Sequence, residues 1–299
     1  MDFKNQYNLY LGAVENLKDE YLSVPDIPQK NVFEAMRYAV CGGGKRVRPV
    51  LTMAVADLFG ADAEDAARVG LAVECIHNYS LIHDDLPCMD DDDMRRGRAT
   101  CHKVFGESTA LLAGDGLLNL AFEILSDTAA FKSVTCESLV AIIRRLSVAS
   151  GVYGMIGGQV VDLENENRSD VTIDELEYMH GGKTGALIRA AAVCGCMTAG
   201  LAENDEKVWT VDSFAEKLGL AFQIKDDILD VVGDEELIGK PIGSDRENGK
   251  NTFVTLLGLE EAQTRLSDIT ASAINTIVQL GDGAWFLNEL AVYLLGRDY

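Results

Sequence analysis

The segment EDAARVGLAVECIHNYSLIHDD, residues 64–85, is long and carries a regular repeat. Apolar or small residues recur in it at steps of three or four positions: Val69, Val73, Ile76 and Ser80. That spacing places them on one face of an α-helix. The segment therefore predicts a helix with a largely apolar stem that ends in two aspartates, Asp84 and Asp85.

The same spacing predicts helices through most of the remaining chain, whereas regular alternation over whole segments is missing, so we expect almost no sheet. The other predicted helices are 31–40, 49–59, 109–128, 136–158, 173–180, 185–201 and 204–230. A break at 42–44 separates the first two, and Pro49 suits the first position of the second. The segment 233–252 is rich in Gly, Asp and Lys and predicts a mobile loop.

The composition limits the fold and the partners that the chain can have. With 299 residues, 47% of them hydrophobic, and no Pro/Gly/Ser-rich linker, the chain is expected to form one helical domain, 1–299. The net charge of −22 makes nucleic acid and anionic membrane surfaces unfavourable partners. The longest nearly apolar stretch, 185–202, contains Arg189, which would cost at least ~2.5 kcal/mol in mid-bilayer, so we expect a buried helix and no membrane insertion.

Targeting and cysteine usage favour the cytoplasm. The first ten residues, MDFKNQYNLY, lack the apolar centre of an export signal. The seven cysteines are scattered and odd in number, which favours free thiols in a reducing compartment over disulfides or zinc.

An aspartate pair lies near the end of the predicted helix 204–230. Asp226 and Asp230 are four residues apart, so they share a helical face about 6 Å apart along the axis. Like charges at this spacing repel each other, and a divalent cation removes that penalty. Mg²⁺ typically takes one or two carboxylates together with substrate phosphates, so this pair predicts a metal site.

The helix 64–85 also leads into an acidic cluster. Pro87 should distort the helix after Asp85, so that the following residues bulge out and Asp90 returns to the side of Asp84. A surface run of acidic residues would not need a buried stem. Two such clusters on two apolar helices therefore indicate two halves of one metal site.

Basic residues stand beside glycine turns. The stretch GGGKRVRP, 42–49, places Lys45 and Arg48 near a predicted helix start, whose free N–H groups favour anions. Arg95 and Arg96 follow the first acidic cluster, and as neighbours on a helix they would project about 100° apart, toward two different anions. Further cations occur in GGKTG, 181–185, and in the segment after the second cluster: Lys183, Lys240 and Lys250.

In this order the motifs resemble those of the trans-isoprenyl diphosphate synthases, the polyprenyl synthetases, over essentially the whole chain. The matching stretches are GGGKRVRP (42–49), LIHDDLPCMDDDDMRRGRATCHKVFGE (81–107), GGQVVDLE (157–164), GGKTGALI (181–188) and FQIKDDILD (222–230). The second and the last are highly specific together. The four-residue gap within the first aspartate motif is similar to that of the bacterial farnesyl and plastid-type geranylgeranyl branches.

The resemblance implies an all-α antiparallel bundle of the isoprenoid synthase type around a central apolar cavity, and a homodimer. It implies Mg²⁺-dependent head-to-tail condensation of isopentenyl diphosphate with dimethylallyl and geranyl diphosphate, which gives farnesyl diphosphate and pyrophosphate. The proton would leave to the released pyrophosphate, so no protein general base is nominated.

The resemblance also implies roles for individual residues. Three Mg²⁺ ions, with Mn²⁺ as a possible substitute, would be held by Asp84, Asp90 and Asp226, supported by Asp85 and Asp230. Isopentenyl diphosphate would be held by Lys45, Arg48, His77 and Arg96. The allylic diphosphate would contact Arg95, Lys183, Lys240 and Lys250. Thr184 and Gln223 would lie near the allylic carbon, which makes Lys183, Thr184, Gln223 and Arg95 the catalytic candidates. Gln159 and Asp162 would support them.

Tyr79 and Ser80 are the candidates for chain-length control. Ser80 lies one helical turn before Asp84, and Tyr79 lies five residues, or about 7.5 Å, before it. In the resembling family a bulky residue at this fifth position accompanies a fifteen-carbon product, which favours farnesyl over geranylgeranyl diphosphate. The alternative is that Tyr79 is an ordinary core aromatic.

Three other functions share some of these sequence features. A di-iron bundle uses two Glu-x-x-His motifs plus two further glutamates, and 74–77 and 177–180 both fit Glu-x-x-His. That interpretation leaves the aspartate clusters and the basic sites without a role. A class I terpene cyclase would not need a second diphosphate pocket, and a non-catalytic regulatory subunit would not need two intact aspartate motifs.

Overall fold

Helices form nearly all of the regular structure in the computed structural model, which describes residues 2–166, 168–232 and 250–296. The α-helices are α1 (Phe3–Tyr21), α2 (Lys30–Val40), α3 (Val47–Leu58), α4 (Ala63–Asp84), α5 (Cys101–Phe105), α6 (Glu107–Ser126), α7 (Cys136–Ser150), α8 (Met155–Asn165), α9 (Ile173–His180), α10 (Ala186–Thr198), α11 (Glu206–Val232), α12 (Phe253–Leu257), α13 (Leu259–Ile277) and α14 (Trp285–Leu295). A π-helix, Gly181–Gly185, joins α9 to α10. Short 3₁₀ turns occur at Thr128–Ala130, Val278–Leu280 and Asp282–Ala284.

The expectation of an all-α fold is confirmed. The sheet within the described residues is one hairpin of two-residue strands, β1 (Met94–Arg95) and β2 (Arg98–Ala99), which pair antiparallel with Met94 opposite Ala99. Gly97, at φ 71°, supplies the left-handed backbone of its turn. The hairpin immediately follows the first aspartate motif.

Two predicted helix boundaries were wrong. The helix predicted over 136–158 is interrupted between Ser150 and Met155, where Gly154 has the non-helical backbone angles φ −133° and ψ −119°. An added Cβ at Gly154 would lie 2.1 Å from the carbonyl oxygen of Ala149. That crowding leaves no space for a side chain where the chain turns. Pro49 is the third residue of α3 and not its first. The first four N–H groups of a helix have no partner within it, so proline is tolerated there as well.

The chain forms two compact units, Met1–Ile143 with Met197–Gly200, and Arg144–Cys196 with Leu201–Tyr299. In the first unit α4 packs against α3 and α6, and its residues from Asp65 to Ile76 are buried on every side. Glycine permits the approach of α6, because a Cβ at Gly114 would lie 2.1 Å from Nε2 of His83. The first unit therefore positions the acidic end of α4 on a rigid stem.

The second unit is built around α11. This helix packs against α13, and a buried cluster fills the space among α9, α11 and the segments after residue 250: Leu176, Met179, Ile224, Ile228, Phe253 and Ala262. The π-helix packs closely on α8, where a Cβ at Gly158 would lie 2.0 Å from the backbone nitrogen of Lys183. The single-domain interpretation of residues 1–299 stays a prediction.

Two helical stretches, Glu107–Ser126 and Cys136–Asn165, are long and apolar enough by composition to cross a membrane. The most hydrophobic 18-residue windows in them are 44% and 39% buried in the structure. Core helices of proteins that cross no membrane pass the same test, so this is weak evidence of a span. The mobile-loop prediction for 233–252 lies mostly outside the described residues.

Candidate functional site

The first aspartate motif folds back on itself at the end of α4. The helix ends at Asp84, and the backbone N–H of Asp90 donates to the carbonyl oxygen of Asp84 at 2.9 Å. Residues 85–89 thus form a closed bulge that contains Pro87. The backbone of Asp90 returns to the helix end, as expected from the proline.

Asp85 is buried inside this bulge and is paired with Arg95. The Arg95 Nε donates to Oδ1 of Asp85 at 2.6 Å, and the Asp85 residue is 3% exposed. Burial raises the pKa of Asp85 to about 6, although the Arg95 charge acts in the opposite direction. Arg95 also approaches Asp92 at 3.6 Å. The predicted contact of Arg95 with an allylic diphosphate would therefore compete with these two carboxylates.

The predicted isopentenyl diphosphate residues come together in the first unit. Arg48 Nη1 lies 3.4 Å from Nε2 of His77, and Arg96 donates to the carbonyl oxygen of Gly43 in the glycine turn. Loss of hydration, and then the charges of Arg48 and Arg96, hold the pKa of His77 well below its usual range. His77 is thus a neutral hydrogen-bonding group among cations. The turn ends at Lys45, whose carbonyl oxygen accepts a bond from Tyr7.

Arg46, the residue between two predicted ligands, has a structural role that the sequence analysis missed. It is 5% exposed and has a left-handed backbone at φ 50°. Its guanidinium donates to Glu74 at 2.7 Å, to Glu15 at 3.2 Å and to the carbonyl oxygen of Val40. Arg46 therefore anchors the glycine turn to α4. The sequence signal was an arginine between Lys45 and Val47, but nothing in it distinguished an inward from an outward side chain.

A cleft of about 420 Å³ opens beside these groups within the first unit. Its walls carry Asp85, Arg95 and Arg96, together with Asn78 and Thr100. The cleft therefore joins the bulge of the first aspartate motif to the basic cluster.

The second aspartate motif lies near the C-terminal end of α11. Asp226 and Asp230 are both partly exposed there, whereas Asp227 between them is 5% exposed. A carboxylate oxygen of Asp227 accepts the backbone N–H of Phe253 at 2.7 Å. Asp227 thus has a structural partner, which leaves the outer aspartates as the candidate ligands. Gln223 precedes them by one turn on the same helix and is partly exposed.

The cations predicted for the allylic diphosphate are partly assembled in the second unit. Lys183 Nζ lies 2.7 Å from Oδ2 of Asp162, and Thr184 follows it in the π-helix. Lys250 and Asp162 line one small cleft of about 220 Å³. The predicted supporting residue Gln159 lies one turn before Asp162 on α8. Lys240 lies outside the described residues.

The residues predicted to hold magnesium fit that ion in donor chemistry. All five are carboxylates, and hard oxygen ligands are those that Mg²⁺ takes in proteins. Among the described residues, however, Asp84, Asp85 and Asp90 do not form a trio whose ligand atoms all lie within 4.8 Å of one another. That criterion is met by Asp91, Asp93 and His102. None of these three residues was among the predicted site residues.

The chain-length candidates lie in the stem of α4. Tyr79 is 6% exposed, and its ring meets the ring of His83 edge-on at 5.7 Å. The Ser80 hydroxyl donates to the carbonyl oxygen of His77 at 2.8 Å. Tyr79 is thus a buried bulky group on the helix that carries the first aspartate motif.

Comparison with protein families matches residues 29–279 to the Polyprenyl synthetase model. The farnesyl diphosphate synthase of Escherichia coli K12 is 44% identical over 301 residues, which span 100% of both chains. Farnesyl diphosphate synthases of other bacteria match at similar identity, and a geranylgeranyl pyrophosphate synthase of Arabidopsis thaliana matches at 42%.

Solved structures agree with the sequence relatives. An FPP/GFPP synthase from Zymomonas mobilis superposes with a TM-score of 0.86 at 39% identity, covering 98% of each chain. A geranyltransferase from Helicobacter pylori, solved with magnesium and isoprenyl diphosphate, has a TM-score of 0.82 at 33% identity and covers 97% of this chain and 96% of that one.

Proposed function

The chain belongs to the polyprenyl synthetase family, and from that premise we propose that it is a prenyltransferase that makes farnesyl diphosphate. The reaction is the head-to-tail condensation of isopentenyl diphosphate with dimethylallyl and then geranyl diphosphate, with release of pyrophosphate. The full-length similarity to bacterial farnesyl diphosphate synthases supports this product over geranylgeranyl diphosphate.

One observation of the site carries the proposal. The cluster of Arg48, His77 and Arg96 around the glycine turn lies in the same compact unit as the Asp84–Asp90 bulge. A condensing enzyme needs a diphosphate pocket that is separate from its metal-binding carboxylates, whereas a cyclase that ionises one diphosphate does not. Cations and a neutral imidazole are suitable donors for such a pocket.

We assign Mg²⁺ to Asp84, Asp90 and Asp226, with support from Asp85 and Asp230. Bound there, the metal would stabilise the negative charge of the departing pyrophosphate. The proposal includes three Mg²⁺ ions per active site, for which Mn²⁺ can substitute. That the two aspartate motifs serve one diphosphate also remains a prediction.

The basic residues divide between the two substrates in this proposal. Lys45, Arg48, His77 and Arg96 orient isopentenyl diphosphate, and Arg95, Lys183, Lys240 and Lys250 bind the allylic diphosphate. Lys183 would exchange its bond with Asp162 for one with phosphate. Thr184 and Gln223 would flank the allylic carbon, and apolar walls would exclude water from the carbocation.

The di-iron alternative finds no support at its two motifs. Glu74 is bound by Arg46, and Glu177 is paired with Arg265. Within the described residues neither motif belongs to a trio of potential ligands. Iron analysis of the purified protein should not give the two irons per chain that a di-iron site requires.

The deciding experiment is incubation with isopentenyl diphosphate and either dimethylallyl or geranyl diphosphate, with and without Mg²⁺, followed by mass analysis. We expect a fifteen-carbon diphosphate from either primer, and only with the metal. Arg48→Gln should raise the KM for isopentenyl diphosphate more than that for the primer. No condensation with either primer would overturn the proposal, and a twenty-carbon product would overturn the farnesyl assignment alone.

We also propose that the protein is a cytoplasmic homodimer. None of the seven cysteines forms a disulfide, which suits a reducing compartment. Exposed apolar side chains on α6 and α7 offer surface for a second copy: Leu111, Leu112, Val140 and Val148. Sedimentation velocity should give twice the chain mass, and a concentration-independent monomer would contradict the dimer.

A further inference from the structure

A histidine and two aspartates converge beside the first aspartate motif. Asp91 and Asp93 follow the bulge, and His102 lies in the first turn of α5. One potential ligand atom from each of the three lies within 4.8 Å of the other two. Both aspartates are exposed, whereas the histidine is 6% exposed.

Hydrogen bonding favours one tautomer of His102. The Thr100 hydroxyl lies 2.8 Å from the carbonyl oxygen of Asp92, 3.4 Å from that of Asp93 and 3.2 Å from Nδ1 of His102. With its one proton on the nearest of these acceptors, the hydroxyl accepts from an imidazole that is protonated at Nδ1. Nε2 therefore has a bare lone pair, and it has no hydrogen-bond partner within the described part of the chain.

The cluster has an excess of electron-pair donors over positive charge. Two carboxylates and one imidazole meet there, and the neighbouring cation is Lys103, whose Nζ lies 2.5 Å from Oδ1 of Asp93. A buried lone pair without a donor costs free energy. A cation coordinated by Nε2 would remove that cost, and the Nδ1–H bond to Thr100 is the kind of outer contact that fixes metal-binding histidines.

We propose that Asp91, Asp93 and His102 bind one divalent first-row transition-metal ion. An imidazole nitrogen favours Zn²⁺, Fe²⁺, Co²⁺ or Mn²⁺ over Mg²⁺, which prefers oxygen ligands. The site needs no diphosphate, because its ligands are all from the protein. It differs in this respect from the magnesium site of the proposed function, and it does not depend on that function.

Such an ion would join the segment after Asp90 to helix α5. Asp91 already has a left-handed backbone at φ 50°, and its N–H donates to the carbonyl oxygen of Leu86 at 3.2 Å. The ion would hold this strained residue in place and would fix the start of the hairpin that carries Arg95. It is thus a positioning ion and takes no part in the chemical step.

The test uses the full-length protein without substrate, loaded with Mn²⁺ in the presence of excess Mg²⁺. Electron spin-echo envelope modulation then detects coupling between the Mn²⁺ ion and a ¹⁴N ligand atom. We expect one Mn²⁺ per chain with imidazole coupling, displaced by Zn²⁺ but not by further Mg²⁺. His102→Gln should abolish the coupling. Asp91→Asn, a change at an exposed side chain that does not endanger folding, should weaken Mn²⁺ binding at least tenfold.

The chain has four histidines, so the assignment can be controlled residue by residue. His83→Gln is the matched control, because His83 also lies near a carboxylate, Asp115, at 3.9 Å. It should keep the coupling, as should Asp84→Asn in the proposed magnesium site. Absence of ¹⁴N coupling in the wild type, or its persistence in His102→Gln, would refute the proposal. Either result would leave the proposed function standing, because the condensation assay tests that function separately.

Discussion

Tyr79 gives a residue-scale test of product length. Its buried ring lies five residues before Asp84 on α4. Replacement by alanine removes bulk that would stop a growing chain, so Tyr79→Ala should shift the product from fifteen carbons to twenty or more. Product mass from geranyl diphosphate and excess isopentenyl diphosphate measures this shift.

Tyr79→Phe is the matched control, because it keeps the ring and should keep the fifteen-carbon product. An unchanged product from a folded Tyr79→Ala protein would show that another residue limits chain length. In that case Tyr79 is an ordinary core aromatic.

His180 should make the second unit sensitive to acid. Both ring nitrogens are buried, lack a hydrogen-bond partner among the described residues, and belong to a ring stacked on Phe253. Burial lowers the pKa of His180 to about 4. The positive charge of Lys183 also lowers this pKa, whereas the negative charge of Asp162 raises it. The depressed pKa means that the unfolded chain binds the proton more tightly than the folded chain.

The contribution of neutral His180 to the free energy of unfolding is therefore fully present above about pH 6.5 and is lost as the pH falls toward about 4. Between pH 7 and pH 5 the free energy of unfolding should fall by about 2 kcal/mol from this residue. Urea titrations at the two values measure the difference, and His180→Phe should remove it. Phe253→Leu, which keeps the imidazole, should destabilise at both pH values and keep the difference.

At this scale the sequence predicted residue types well and orientations poorly. The spacing of Asp226 and Asp230 identified two partly exposed carboxylates, but only packing reveals that Asp227 binds the Phe253 amide. Arg46 and His102 were missed for the same reason. An arginine or histidine in a polar stretch has no periodic signal that tells whether its side chain is buried.

Among the elements, the glycine turn depends on its anchor to α4. Glu74 is 2% exposed and binds Arg46, so Glu74→Gln leaves the buried guanidinium with Glu15 as its remaining carboxylate partner. Removing one partner of a buried ion pair typically costs ~3–5 kcal/mol. The free energy of unfolding should fall accordingly, and the KM for isopentenyl diphosphate should rise while that for the allylic primer stays the same.

Asp19→Asn on α1 is the control. Its carboxylate is exposed and pairs with Arg37 at the surface. Surface pairs contribute little, so both quantities should remain near wild type. Equal effects of the two variants would argue against a special anchor at Arg46.

The close approach of α8 to the π-helix gives a second test at this scale. A Cβ at Gly158 would lie 2.0 Å from the Lys183 nitrogen, so Gly158→Ala must push the π-helix away. We expect a loss of about 1–3 kcal/mol in the free energy of unfolding and weaker binding of the allylic primer. Gly181→Ala, where nothing lies within 4 Å of the added carbon, should change neither. Equal behaviour of the two alanine variants would exclude crowding as the cause.

Most helices between residues 31 and 230 were predicted, whereas α1, α5 and the three helices after residue 250 were not, and helix ends depended on local crowding. The periodic stems of α4 and α9 were located to within one or two residues. The break between α7 and α8 was missed because helical periodicity continues through Gly151 and Gly154, although a side chain at Gly154 would clash. A sequence shows that glycines are present, but it does not show which backbone approaches them.

The single-domain interpretation can be tested on the whole molecule. It predicts that the two compact units unfold together, in one transition with equal calorimetric and van't Hoff enthalpies. Differential scanning calorimetry of the ligand-free protein measures both. Two resolved transitions would show that the units are independent domains.

For the whole molecule, the fold class could be predicted from the composition and from the spacing of apolar residues. A chain with 47% hydrophobic residues at helical spacing fits few fold classes other than all-α. The family followed from ordered motifs. The sequence did not predict which polar side chains bind each other, because pairs such as Lys183 with Asp162 join residues 21 positions apart.

The π-helix fixes the phase of the rod that spans residues 173–198. Its wider turn accommodates one residue more than regular winding would, and each residue advances an α-helix by about 100°. The faces of α10 are therefore rotated by roughly that angle from where an unbroken helix would present them. A chain that kept all five residues of GGKTG but wound them regularly would aim every later side chain of the rod in the wrong direction.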